Sequence, residues 1–552
     1  MRLTRLIRSI AAGIALSTLS LGLVAGTGVV AANAADTWEP ISGIGSTWSQ
    51  NALDQWRSNV NKNYGMTINY SGEGSSAGRR HFILQDVDFA ISEIPFQSAP
   101  EDGSLPEKPT SGFAYMPIVA GGTAFMYNLQ IGGKRVTNLR LSGETITKIF
   151  TNVITNWNDP VIKADNPGLT MPDKTIVPVV RSDGSGSTAQ FSLWMSKQHT
   201  ALWNNYCGVV NRPVPCGLTS QYPVSGNIKA QNGSLGVAGY VAQDYGEGAI
   251  TYVEYSYALK SGFPVAKVLN NAGYYIEPTA PSVAVALMNA QIDENPASKD
   301  YLTQILDGVY NSADSRTYPL SSYSYMIVPT TVNKVFTEKE GKTLGAFANY
   351  VLCEGQQQAQ QLGYSPLPMN LVLAGSKQIA RIPGADPAGF DINSCRNPTF
   401  KPGDSPASNQ LAASAPAPEA CDKQGTTQCS KGTGGAPAAT PVSNDTPGAS
   451  DSPEAAAAAA AGAGAAAGAG AGGGTADAAT AAGSAPVYDS NGALISGSGM
   501  VGTASSSPFT LPGGGWGGQQ YVMLFAALLL VGAVVLPPML SKRLKRRPTA
   551  TK

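Results

Sequence analysis

The sequence predicts an α/β architecture of two lobes, and three observations carry that prediction. Strand-like and helix-like signals alternate along the first 400 residues. Three of the strand-to-helix junctions are loops rich in glycine and hydroxyls. The foldable stretch, residues 36–400, is too long for one small core and suits two.

The elements follow in order. Arg2, Arg5 and Arg8 precede an apolar run and then Ala32-Asn33-Ala34, which predicts a secretory signal over 1–34 with an A-x-A cleavage site. Gly43-Ile-Gly-Ser-Thr47-Trp48 then leads into a helix with Leu53, Trp56 and Val60 on one face, with Thr47 and Ser49 as candidate caps. Met66–Tyr70 alternates like a strand, and Ser71-Gly-Glu-Gly-Ser75-Ser76-Ala-Gly78 carries it into a helix over Arg79–Leu84. Val87–Ile91 is the next strand signal. Ile176–Val180 runs into Arg181-Ser-Asp183-Gly-Ser185-Gly186-Ser187, which opens a helix over Thr188–Lys197. Phe191, Trp194 and Met195 fall on its core face, and Trp157 is read as packing.

The three loops share one chemistry. A helix N-terminus carries unpaired N–H donors and partial positive charge, and glycine lets the backbone come close to a small anion. Arg181 adds a permanent charge whose forked donors match an oxyanion. Three such loops on separate units predict convergent donors around one anion. The chain is formally neutral, with 37 basic and 37 acidic residues, and its foldable part is weakly acidic. That excludes nucleic-acid binding and requires local hydrogen bonds to capture an anion. With two histidines and no C-x-x-C, no metal or cofactor is implied.

From Ile41 to Leu367 the segments GIGSTW, SGEGSSAG, VDFAISEIP, Ile118–Asn128, TNWNDP, VVRSDGSGS and GAITYVEYSYA occur in one order. In that combination the chain resembles the PstS-like phosphate-binding proteins, the substrate-binding components of phosphate ABC transporters. The resemblance implies a type II periplasmic-binding-protein-like fold with hinge strands, lobe 1 spanning about 36–116 plus 285–400 and lobe 2 about 117–284. It implies binding of inorganic phosphate and delivery to an ABC permease, not catalysis. It also implies phosphate contacts at Thr47, Trp48, Ser75, Arg181, Ser185, Gly186 and Ser187, with Asp183 orienting Arg181. The departure is Glu93, where the family pattern has Asp. An ionised carboxylate only accepts hydrogen bonds, and phosphate keeps a proton to donate where sulfate has none.

The six cysteines suit an exported protein and pair by spacing as Cys207–Cys216 and Cys421–Cys429, leaving Cys353–Cys395. From residue 401 to 510 the composition falls to Ala, Gly, Pro, Ser and Thr, which predicts a disordered stalk with a root-mean-square span of about 60 Å. Residues 520–540 are apolar enough to cross a bilayer, and the basic tail 541–552 sets their orientation, leaving the binding domain outside. Leu511-Pro-Gly-Gly-Gly515 resembles a wall-sorting signal with Gly514 where Thr is usual, which favours membrane retention over covalent wall attachment. Two other readings stay open. Gly74-Ser-Ser76-Ala-Gly78 matches the G-x-S-x-G of serine hydrolases, with His81 or His199 as base. A surface sensor or adhesin could also reuse the fold.

Overall fold

The computed structural model describes residues 38–443, except 296, 299, 300 and 302, together with strand residues 487–488 and 494–496. The predicted signal, most of the stalk beyond residue 443, the span 520–540 and the basic tail lie outside the described residues. Among the described residues no helix is long and apolar enough to cross a membrane.

The first lobe opens with β1 (Ile41–Gly45), α1 (Gln50–Tyr64), β2 (Ile68–Gly72), α2 (Ser75–Leu84) and β3 (Phe89–Ser92). β1 lies parallel to both β2 and β3. The alternating residues of these segments bury Trp56, Val60 and Phe89 in one core. Helix α2 begins at Ser75, four residues earlier than the expected Arg79, so the hydroxyl loop is itself the first turn of the helix.

Strand β4 (Phe113–Tyr127) crosses between lobes, and its two halves have different partners. β9 (Ser321–Pro329) pairs antiparallel along residues 113–122, while β7 (Ala249–Glu254) pairs with Thr123–Tyr127. Beyond β7 lie β5 (Val177–Arg181) and β6 (Lys229–Gln231), giving the order β2-β1-β3-β9-β4-β7-β5-β6. Helices α3 (Gly186–Gln198) and α4 (Gly233–Ala242) follow β5 and β6 directly, and β8 (Val265–Leu269) adds to the same end of β4. Phe191 packs against Phe150 and Tyr252 with ring centroids 5.2 and 4.9 Å apart, so the aromatics predicted as core are core.

Two boundaries differ from expectation. Leu306, Val309, Tyr310, Tyr318 and Leu320 belong to the second core, although residues from 285 onward were expected in lobe 1. The chain re-enters the first core at β9.

The second difference is the segment expected to begin a disordered stalk at residue 401. Residues 401–443 run along the domain instead. Ala412, in the short helix α6 (Gln410–Ala413), packs on Ala284 and Val285 of α5 (Ala280–Leu287). Further on, Lys267 Nζ donates to both oxygens of Asp422 at 2.7 Å. Arg140 Nη1 donates to the carbonyls of Thr427 and Cys421 at 2.8 and 3.1 Å. Thr433 N reaches Thr137 O at 3.0 Å, and Gly435 N reaches Phe263 O at 2.9 Å. Composition misleads here because the segment is held by backbone hydrogen bonds and one ion pair, with little apolar burial of its own. The disulfides are Cys207–Cys216, Cys353–Cys395 and Cys421–Cys429, as spacing suggested. The last is part of the docked segment and not a loop in a free stalk.

Candidate functional site

The three glycine–hydroxyl loops converge where the lobes meet. From lobe 1, the loop between β1 and α1 brings Thr47, Oγ1 of which lies 2.8 Å from Ser234 Oγ and accepts from Ser234 N at 3.1 Å. Tyr257 OH donates to Thr47 O, across the lobes. Trp48 is buried edge-on to Tyr364, with ring centroids 5.8 Å apart, and its N–H is used by Ser46 Oγ at 2.9 Å. Ser49 holds the N-cap position of α1 but makes no capping bond, and its hydroxyl lies near Ser324 instead.

The second loop delivers Ser75, which donates to Glu93 Oε2 at 2.6 Å and accepts from Gly186 N of lobe 2 at 3.1 Å. The approach leaves no space for side chains. A Cβ on Gly186 would stand 1.9 Å from Glu93 Oε2. At Gly74, φ is +94° and a Cβ would stand 2.5 Å from Asp183 Oδ2, so glycine is required on both counts.

From lobe 2, Arg181 ends β5 and is almost wholly buried. Its Nε donates to Asp183 Oδ1 at 2.7 Å, Nη2 bonds Asp183 Oδ2, and Nη1 reaches Ser234 Oγ at 3.3 Å. Burial works to raise the Asp183 carboxyl, but the Arg181 charge, its hydrogen bonds and the Gly233 N–H outweigh it and hold the group below the usual carboxylate range. Asp183 thus holds the Arg181 guanidinium through two of its donors. Ser185 caps α3 by accepting from Thr188 N at 3.2 Å. Ser187 Oγ, on the first turn of α3, is buried without a hydrogen-bond partner among the described residues.

Glu93 is 1 % exposed and held from four sides. Ser75 and Ser324 donate to its carboxylate, the latter to Oε1 at 2.7 Å. The amides of Gln190 and Gln304 donate to its backbone carbonyl at 2.7 and 3.1 Å. The structure therefore forms two hydrogen-bonded groups, Thr47 with Ser234, Arg181 and Asp183, and Ser75 with Glu93 and Gly186, which come together where Gly74 meets Asp183. Two further hydrogen bonds join the lobes, Leu218 N to Glu101 Oε2 at 2.8 Å and Thr219 Oγ1 to Asp102 Oδ2 at 2.7 Å.

Sequence reasoning missed Ser234, Ser324, Gln190, Gln304 and Tyr257. Ser234 had a readable signal, since Asn232-Gly-Ser234 opens α4 directly after β6. The hydrolase geometry does not form. Ser76 Oγ accepts from Arg79 Nη2 at 3.2 Å, His81 bonds Asp86 at 3.0 Å, and His199 stands edge-on to Trp194.

A family profile described as the PBP superfamily domain matches residues 30–354. The phosphate-binding protein PstS of Xylella fastidiosa (strain Temecula1) is 33 % identical over 332 residues, covering 60 % of this chain and 82 % of its own length. The chain belongs to the PstS-type phosphate-binding protein family. The PstS of Pasteurella multocida is 30 % identical over 336 residues, covering 60 % of this chain and 88 % of its own. A solved phosphate-binding protein from Stenotrophomonas maltophilia is 16 % identical, covering 63 % of this chain and 96 % of its own, with a TM-score of 0.46. The residues matched by the superfamily profile include all three loops and Glu93 and end before the docked segment 401–443.

Proposed function

We propose that this protein binds inorganic phosphate outside the cytoplasm and delivers it to an ABC permease. The observation that carries the reading is that donors and acceptors cross between the lobes in two adjacent groups, Ser75 between Glu93 and Gly186 N, and Thr47 against Ser234 and the Arg181 guanidinium, with the buried Ser187 hydroxyl unpartnered among the described residues. Arg181, Ser75, Thr47, Ser187 and the first N–H groups of α3 supply donors to the anion's oxygens. Glu93 accepts from the anion's own proton. A fully ionised sulfate has no such proton and meets an unpaired acceptor of like charge. Residues 520–540 and the basic tail would hold the protein at the membrane.

Calorimetric titration of the full chain tests this. Phosphate is expected to bind tightly and sulfate to bind weakly or not at all. Glu93→Gln, whose amide can donate, is expected to narrow the gap between the two ions by about tenfold or more. Absence of phosphate binding, or equal binding of both ions, refutes the assignment.

A further inference from the structure

Strand β9 runs beside β3, with Tyr325 paired to Ser92, the residue before Glu93. Against β4, the register of β9 shifts between Ser324 and Tyr325. Such irregularities re-aim a side chain. Here Ser324 Oγ donates to Glu93 Oε1 at 2.7 Å, and Ser49 Oγ lies 3.2 Å behind it. A hydroxyl has one proton, so with that of Ser324 committed to Glu93, Ser49 is the donor in the second contact. Ser49, Ser324 and Glu93 form a buried hydroxyl relay ending on one carboxylate oxygen.

The other oxygen is held differently. Ser75 donates its single proton to Oε2 while accepting from Gly186 N. It cannot serve Glu93 and an incoming anion together. When an oxyanion engages this loop, the Ser75 proton turns to the anion and Oε2 loses its donor. A protonated oxyanion replaces that bond with its own O–H, and sulfate does not. The Ser324 bond to Oε1 is untouched by the exchange. The backbone also stays fixed, because the Gln190 and Gln304 amides hold the Glu93 carbonyl.

We propose that Ser324 is a positioning and specificity-determining residue, whose hydroxyl keeps the Glu93 carboxylate aimed as an acceptor while Ser75 changes partner. This rests on the phosphate reading above. Without Ser324, the carboxylate keeps no protein donor once Ser75 turns away. Without that anchor the carboxylate is free to turn from the anion's O–H, which weakens phosphate and leaves sulfate, with no proton to offer, less affected.

The test is calorimetric titration of the full chain with inorganic phosphate and with sulfate, in the unmodified protein, Ser324→Ala and Ser49→Ala. The ratio of sulfate to phosphate dissociation constants is expected to fall about tenfold or more in Ser324→Ala, and less in Ser49→Ala. If Ser324→Ala does not fold, the ratio in Ser49→Ala decides. An unchanged ratio, or equal weakening of both ions, overturns the role of Ser324 while leaving the phosphate reading intact. An unmodified protein that fails to prefer phosphate overturns both.

Discussion

Arg181 meets Asp183 two residues along the same loop, whereas Lys267 meets Asp422 from a position 155 residues away. Both pairs are at least partly buried, and both bond the carboxylate at two oxygens. Their carboxyl groups nevertheless shift in opposite directions. In Asp422 burial dominates and raises the group, and Lys267 only partly offsets it. In Asp183 burial is outweighed by Arg181, helped by the N–H of Gly233. The guanidinium can bind its partner with one edge and still reach Ser234 with the other. An ammonium facing one carboxylate makes a clasp, while an oriented guanidinium makes a clasp that also has a working face.

That contrast can be broken by substitution. Lys267→Met leaves Asp422 buried without its counter-charge and is expected to cost about 3 kcal/mol in denaturant unfolding, with phosphate affinity changed less than about twofold. A loss of affinity on the scale of the stability loss would show that the two pairs are not separable. Arg181→Met is expected to weaken phosphate about a hundredfold by titration, because a charge-assisted donor is lost and Asp183 is left facing the anion. The smallest effect concerns pH. A raised carboxyl gives stability that is present below its unfolded value and is lost as pH rises through its folded value. The deficit of Lys267→Met is therefore expected to shrink between pH 7 and about pH 5, as Asp422 takes up a proton. A lowered carboxyl behaves oppositely, so the stability that Asp183 provides persists until pH falls through its folded value. A deficit that is constant across this range would mean that burial does not dominate at Asp422.

The cleft was legible in sequence to the extent that its parts are local. Each glycine–hydroxyl loop joins a strand to its own helix, so Thr47, Ser75, Arg181 and Gly186 could be found without knowing the fold. Ser324 and Gln304 come from segments with no loop signal. They reach Glu93 through strand pairing and side-chain reach, which a linear reading does not contain. Segment 401–443 was misread for a related reason. Alanine, glycine and proline report little burial, but a chain that offers carbonyls to Arg140 and a carboxylate to Lys267 needs little apolar area to stay in place.

The docked segment also decides where force enters the molecule. Its last described residue, Ser443, donates from its N–H to Gly168 O at 3.0 Å, and neighbouring Val442 is buried in the second core. Tension applied along the chain beyond Ser443 is thus received by lobe 2. The Lys267–Asp422 clasp and the Arg140 bonds stand between that load and residue 400. A pull applied beyond Ser443 would therefore peel this segment from lobe 2 before it strained the strands that cross between the lobes, β4 and β9.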